Sequence, residues 1–474
     1  LLTDNGPPSA DVLDAVDWWN ERHAGSTVIV VRMAVLEDVF DAVRSSDVEL
    51  PVYAGDWTDW WSDGPASRPA SVKLFRKTQR DLDWLGALAA SGLCDGALSD
   101  GDLSDSDLAD SDLPDRKAIE TDLALFAEHT FSHSESMAAP WHELVHTIDV
   151  LKDGHLARAT DAVGRAMDAA RERLGGAPLR PGLPLHYRVV HPFDAPLDDL
   201  ARLPVGHHEF EELGLGAGFA VRDLDSGADL PCELVHVPHG GEILVPLHFV
   251  RAGERRLEVV PTPNGRCAAT ETRRGDVLET EHVRVRWAAP HGVVELVDRA
   301  MARSLLHPDA PHAAFQPVHD VTPVDDPAEV CAVRARMGLN RKGPDAIVSA
   351  GETSGAAEGR EGEVLATATL DYELAGTRFC ELELQAHVHA PRLDVRLRLH
   401  KESLWAPENL YVSLPFSAGE RARLLLAKAG VPAWPRALQI PGTLTDFYAV
   451  QTGWTSTSRD FGVAVVMPDQ HLLQ

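Results

Sequence analysis

Residues 50–69 read Leu-Pro-Val-Tyr-Ala-Gly-Asp-Trp-Thr-Asp-Trp-Trp-Ser-Asp-Gly-Pro-Ala-Ser-Arg-Pro, and the fold turns on this stretch because the character of the chain changes across it. Before it, helix and strand signals alternate. Asp11 to His23 puts Val12, Val16 and Trp19 on one helical face. Thr27 to Val31 is a β-branched run that reads as a buried strand. Glu37 to Val43 returns to a helical pattern, and Val48, Leu50 and Val52 alternate as a short strand does. This rhythm is too short to make an α/β domain alone and reads as the tail of one. After the stretch, residues 70–175 are helical: Phe75, Leu82, Leu85 and Leu88 share one stripe, and Leu156, Val163, Met167, Ala170 and Leu174 another. From about Leu183 the period falls to two. Val283, Val285 and Trp287 alternate, as do Cys380, Leu382 and Leu384, then Leu393, Val395, Leu397 and Leu399, then Leu410, Val412 and Leu414. Gly, Pro and Asp clusters punctuate them, which is the pattern of antiparallel sandwich domains.

The chain has 474 residues, too many for one ordinary core, so two to four domains are expected. No run of about eighteen apolar residues is present, so no membrane span is expected. The start at Leu1, with no basic-then-apolar leader, reads as a trimmed or fragmentary reading frame without a signal peptide. The net charge of −29, from 44 basic and 73 acidic residues, repels phosphate backbones and argues against a nucleic-acid partner. Cys94, Cys232, Cys267, Cys331 and Cys380 are scattered, odd in number and lack zinc-ribbon spacing, so a reduced, cytoplasmic protein is expected. Between Asp95 and Asp115 the pair Asp-Leu recurs at 102–103, 107–108 and 112–113. Such a stretch cannot bury a core against its own repulsion, and it reads as a solvated loop, with a calcium-binding repeat as the sharper alternative.

Trp57, Trp60 and Trp61 cluster among Asp56, Asp59 and Asp63. Indole faces stack on the apolar faces of pyranose rings while carboxylates accept hydroxyl protons; the other reading is a Trp-rich domain seam. His129 follows Leu123, Leu125 and Phe126, and is either a zinc-ligating imidazole, with Glu128 orienting it, or a histidine satisfied by a backbone carbonyl. Asp4, in Thr3-Asp4-Asn5-Gly6, is either a catalytic carboxyl or part of a turn. His207-His208-Glu209 and His387-x-His389 have usable ligand spacing but arise readily among 22 histidines. His307-Pro308-Asp309 reads as a turn. No Gly-rich phosphate loop, GxSxG or Cys-His nucleophile arrangement is present.

Taken in order, several of these stretches resemble glycoside hydrolase family 38, the α-mannosidase-like enzymes. Residues 50–69, followed by a helix bearing Lys73, Arg76, Lys77 and Arg80, resemble the segment where a Trp near a Ser-Arg-Pro triplet opens that family's three-helix bundle. Ala127-Glu128-His129-Thr130-Phe131 resembles its zinc-histidine element. His282 to Asp298, residues 405–411 and residues 439–443 resemble strands of its large sandwich. Arg341-Lys342-Gly343-Pro344 is closer to a bacterial and archaeal branch than to the lysosomal and Golgi enzymes. The resemblance implies a multidomain α+β fold: residues 1–69 as the C-terminal part of an α/β barrel catalytic domain, 70–178 as a three-helix bundle with the acidic loop 95–115, and 179–474 as β-sandwich domains. It implies a retaining glycosidase with one Zn²⁺ held by a His-x-Asp pair, the nucleophilic Asp and a later His. His129 matches the later His, Trp61 the sugar-platform Trp, with Asp63 and Trp57 beside it. Asp4 falls where the family has two consecutive acids, the second here being Asn5. The His-x-Asp pair and the nucleophile would lie upstream of Leu1, so this chain would hold one zinc ligand of four and be inactive alone. The expected partner is a carbohydrate, an α-mannoside or related glycoside; nucleic acid and membrane are not expected, and a homo-oligomer is left open. The alternative function is a non-catalytic carbohydrate-binding or structural protein on the same scaffold.

Overall fold

The computed structural model describes residues 9–57, 60–94, 115–129, 131, 139, 141–176, 184–238, 240–262, 271–337, 342–419, 421–428, 430–435, 439–440, 442–444 and 446–474. The chain divides into two compact units, Leu1–Gly55 and Asp56–Gln474. It is an α+β protein in which every sheet is antiparallel.

The first unit holds α1 (Asp11–His23) and α2 (Leu36–Arg44), and neither helix buries a residue. The amide of Asn20 on α1 grips the backbone of Val31, donating to its carbonyl at 2.7 Å and accepting from its N–H at 2.9 Å. The strands expected at Thr27–Val31 and Val48–Val52 do not form. A strand exists through its ladder, and a run apolar on both faces needs neighbours on both edges and cover on both sides. Among the described residues of this unit nothing supplies either, and Val28 is 100 % exposed.

The second unit begins with a 3₁₀ turn, Trp60–Ser67, followed by α3 (Pro69–Ser91), α4 (Arg116–Ala127) and α5 (Glu143–Arg173). Pro69 opens α3, where its missing N–H costs nothing, and Gly92 closes it in the left-handed region at φ +70°. Asp115 caps α4 by accepting from the Lys117 N–H at 2.9 Å. Residues 95–114 of the expected acidic loop lie outside the described residues. The two stripes read from the sequence meet in one core: Leu82, Leu85 and Leu88 of α3, Ile119, Leu123 and Phe126 of α4, and Leu156, Val163 and Ala170 of α5.

Two sandwiches follow. In the first, the sheet ordered Leu185–His191, Gly253–Pro261, Phe219–Asp223, Asp229–Leu230 packs on the sheet Leu197–Gly206, Gly240–Phe249, Glu233–Val237. In the second, Arg303–Ser304, Gly292–Asp298, Val283–Ala288, Val277–Glu279 packs on Leu393–Lys401, Thr377–His387, Leu365–Tyr372, Ala357–Glu361, Glu271–Arg274. Val283, Val285, Trp287, Cys380, Leu382 and Leu384 all point into this second core, as their alternation predicts. The sandwiches are joined by a buried carboxylate: Glu233 accepts from the N–H groups of Val364 at 3.2 Å and Leu365 at 3.0 Å, beside an apolar seam of Leu244, Val364 and Leu365. A three-stranded sheet, Ile347–Ala350, Pro317–Val321, Glu408–Val412, a four-stranded C-terminal sheet, Val431–Ala433, Arg423–Lys428, Gly453–Thr457, Gly462–Val466, and a two-stranded pair, Tyr448–Ala449 with Leu472–Leu473, complete the described residues of the unit. The alternation of Leu410 and Val412 runs opposite to expectation. Both are exposed, while Tyr411 between them is partly buried beneath Lys342. Because side chains alternate along a strand, facing Tyr411 inward turns both aliphatic neighbours out. Among the described residues no helix is long and apolar enough to cross a membrane.

Candidate functional site

The site is built on one face of α5, where Asp149, Lys152 and Asp153 lie three and four residues apart and so project together. Asp149 and Asp153 hold Arg68, the residue between the Trp60–Ser67 turn and α3, at 3.0 Å and 2.5 Å. Ser71 donates to the Asp153 carboxylate at 3.3 Å. Lys152 holds the end of α4. Its ammonium donates to the carbonyl oxygens of Leu125 at 3.1 Å, Phe126 at 3.3 Å and Glu128 at 2.8 Å, groups that a helix C-terminus leaves without intrahelical partners. It also donates to the Glu128 carboxylate at 2.7 Å and lies 5.1 Å from the Phe131 ring centre. The other Glu128 oxygen meets His129 Nδ1 at 2.6 Å.

Lys152, Glu128 and His129 therefore form a chain running from the helical core to a side chain that is 69 % exposed. With Nδ1 engaged by the carboxylate, a metal bound to this imidazole would be met by Nε2. A carboxylate orienting the far nitrogen is how protein zinc histidines are held. The Trp60–Ser67 turn lies against the same segment: a Cβ on Gly64 would stand 3.6 Å from the His129 carbonyl oxygen and 3.5 Å from Phe131 Cβ. The backbone carrying Trp61 and Asp63 is thus a direct neighbour of the backbone carrying His129. The side chains of Trp61 and Asp63 lie outside the described residues, as does Asp4 altogether.

Trp57 is 80 % exposed, so its indole is not buried in a domain seam. Asp56 before it is tied to the C-terminal sheet, its carboxylate paired with Lys428 and its carbonyl accepting from the Ile440 N–H at 3.2 Å. Zinc fits only in part. Among the described residues no group of three His, Cys, Asp or Glu side chains converges to hold a metal, and what they supply is His129 and its orienting Glu128.

The remaining histidine candidates have structural partners. His207 and His208 pair with Glu211 and Glu212 one turn along a short exposed helix. His387 is buried and bonded to Asp394 at 2.9 Å. Burial alone would push the Asp394 carboxyl up, but the bonds from His387 and Arg392 outweigh it and hold the group at about 2. In the turn at His307-Pro308-Asp309, the Asp309 N–H donates to His307 Nδ1 at 3.2 Å.

Sequence reasoning missed Lys152, Arg68, Asp149 and Asp153, and also a second charged group in the three-stranded sheet. There His319 is 2 % exposed and meets Glu408 at 2.7 Å, which Lys401 also meets at 2.7 Å. Asp320, on the opposite face, pairs with Lys342 at 2.7 Å. Burial, with the Asp320 charge adding, pushes the neighbouring Tyr411 hydroxyl up to about 12.

Compared with known proteins, the chain matches no family model and no curated protein.

Proposed function

We propose that the chain is the end of an α/β barrel, a three-helix bundle and the sandwich region of a retaining, zinc-dependent α-mannosidase-like glycoside hydrolase working in the cytoplasm. The observation that carries the reading is the adjacency of the Trp60–Ser67 turn to His129, with His129 Nδ1 held by Glu128 at 2.6 Å. An imidazole oriented by a carboxylate beside a Trp- and Asp-bearing turn suits a metal and a sugar on the same side of a helical core. In this reading His129 is one zinc ligand, Trp61 the sugar platform with Trp57 and Asp63 beside it, and Asp4 the acid and base. In this reading the remaining zinc ligands and the nucleophile would come from outside these 474 residues.

A second reading has one observation in its favour. The Lys152–Glu128 pair already serves a purpose without metal, closing the C-terminus of α4. A carbohydrate-binding or structural protein on the same scaffold would keep that cap, and the exposed Trp57 would still offer a stacking face.

Zinc content and aryl α-mannoside turnover distinguish them, measured on this chain and on the product of any reading frame that continues upstream of Leu1. Turnover and one zinc per chain are expected in the longer product and no turnover in the 474-residue chain. In the longer product H129A should release the zinc, and E128Q should weaken its binding by about 10–100-fold. Turnover by the short chain, or zinc retained in H129A, would overturn the assignment of the site.

A further inference from the structure

We infer that Lys342 and Asp320 are a cross-linking pair: the lysine amine and the aspartate carboxyl condense within the folded chain to an isopeptide bond. The inference rests on different residues from the sugar site and stands independently of it.

Asp320 lies on Pro317–Val321, the central strand of the three-stranded sheet, and is 1 % exposed. A carboxylate at that depth is ordinarily surrounded by donors. The other two buried carboxylates among the described residues conform. Asp223 accepts from the N–H groups of Asp225 at 2.8 Å and Ser226 at 3.0 Å, and Glu233 from those of Val364 and Leu365. Neither oxygen of Asp320 receives a hydrogen bond among the described residues, although Lys342 Nζ stands 2.7 Å from Oδ2. Two charges brought together at such depth, without donors around the carboxylate, carry a large desolvation cost, and an amide in their place carries no charge.

The backbone aims the amine. Thr322 continues the strand beyond Val321, its N–H donating to the Pro407 carbonyl at 2.9 Å. It is two residues from Asp320 and so lies on the same face. The Gly343 N–H donates to Thr322 Oγ1 at 3.0 Å, and a Cβ on Gly343 would run into the Thr322 side chain at 2.4 Å. Lys342, the residue before, therefore starts beside its target. Tyr411 faces Val318 on the neighbouring strand and shares that face, with its ring centre 4.9 Å from Nζ. Amine, carboxyl and an aromatic wall are thus held together by the sheet and one close backbone contact.

The step balances without a co-reactant. One ammonium proton passes to the carboxylate, leaving an amine and a carboxylic acid. Nζ attacks Cγ, the Nζ–Cγ bond forms and the bond from Cγ to the hydroxyl breaks. The hydroxyl leaves with a second Nζ proton as one water, and the amide keeps the third. Such a condensation is uphill between free partners in water, but groups held in register react at effective molarities of about 10⁵–10⁸ M. The product closes residues 320–342 into a covalent ring.

The intact mass of the whole folded chain tests this. The wild type should weigh one water less than its sequence, and K342R and D320A should each show their full mass. Trypsin does not cut after an acylated lysine, so digestion of the wild type should yield residues 304–334 joined to residues 342–360. The wild-type mass needs no variant to fold, and a full-mass wild type would overturn the inference. So would the same water loss in K342R, or a loss confined to 304–334 with the Lys342–Gly343 bond cut, which is an aspartate closing on its own backbone. Loss of ammonia with Lys342 joined to Asn409, the residue facing Asp320, would equally overturn it.

Discussion

Lysine is scarce in this chain, seven residues against a basic total of 44, and its placement is informative. Lys152, Lys342, Lys401 and Lys428 have side chains only 9–29 % exposed, each on a carboxylate. Arginine presents a rigid planar fork; an ammonium is compact and can aim its protons at converging oxygens. Lys152 requires the second, since its acceptors are three carbonyls and a carboxylate around one nitrogen. Lys152→Ala should therefore destabilise the protein by about 2–3 kcal/mol in urea denaturation, and Lys152→Arg should recover little of it. Full recovery by arginine would mean that charge alone matters there. This is also where the site was partly legible. His129 stood out by residue type, but a lysine on a helical stripe looks like a solvated charge until the carbonyls it meets are known. Cysteine chemistry separates at the same scale. Cys331 is exposed, while Cys380 is buried and its thiol is pushed up to about 11 by burial. Peptide mapping after a short iodoacetamide pulse at pH 7.5 should find Cys331 alkylated and Cys380 untouched until the fold is lost.

Elements were legible where their pattern was sustained. The stripes of α3 and α5 and the alternation of Val283–Ala288 and Thr377–His387 are each long enough to fix which face is buried. The shorter runs failed for distinct reasons. Thr27–Val31 lacks a ladder, and Leu410 and Val412 lost the inward face to Tyr411. One hairpin shows how tightly the long elements fit. Between the strands Val283–Ala288 and Gly292–Asp298, Gly292 has φ +92°, and a Cβ there would run into the hydroxyl of Tyr372 on the facing sheet. Tyr372 is itself buried, with no hydrogen-bond partner for that hydroxyl among the described residues, and burial pushes its ionisation well above the ordinary phenol range. Gly292→Ala should cost about 2–4 kcal/mol through backbone strain and overlap together. Tyr372→Phe should be close to neutral, because it removes a hydroxyl that is buried without a partner. The double variant should recover at least about 1 kcal/mol of the Gly292→Ala loss, since the two groups touch. Additive losses would place the whole cost in the backbone.

At the scale of the molecule, the contacts that assemble the second unit join distant positions: Asp56 with Lys428, 372 residues away, and Glu233 with Val364 and Leu365 across the sandwich seam. No periodicity encodes such pairs, which is why the order of helical and β regions could be read while their fastening could not. The first unit is different in kind. Its described residues include none that is buried, and Val39, Phe40 and Val43 of α2 stand exposed, so the described residues of this segment form no core of their own. Apolar burial is the dominant favourable term in folding, and a segment without it contributes little to cooperative stability. A chain starting at Asp56 keeps every core cluster and the Asp56–Lys428 pair. Its thermal midpoint should fall within about 2 °C of that of the full chain, where a loss of 1 kcal/mol in a domain of this size shifts the midpoint by about that much. Amides of residues 9–55 should meanwhile exchange fast in the intact protein. A midpoint lower by several times that amount, or slow exchange in α2, would show that the first unit is folded into a cooperative structure that its own exposed side chains do not account for.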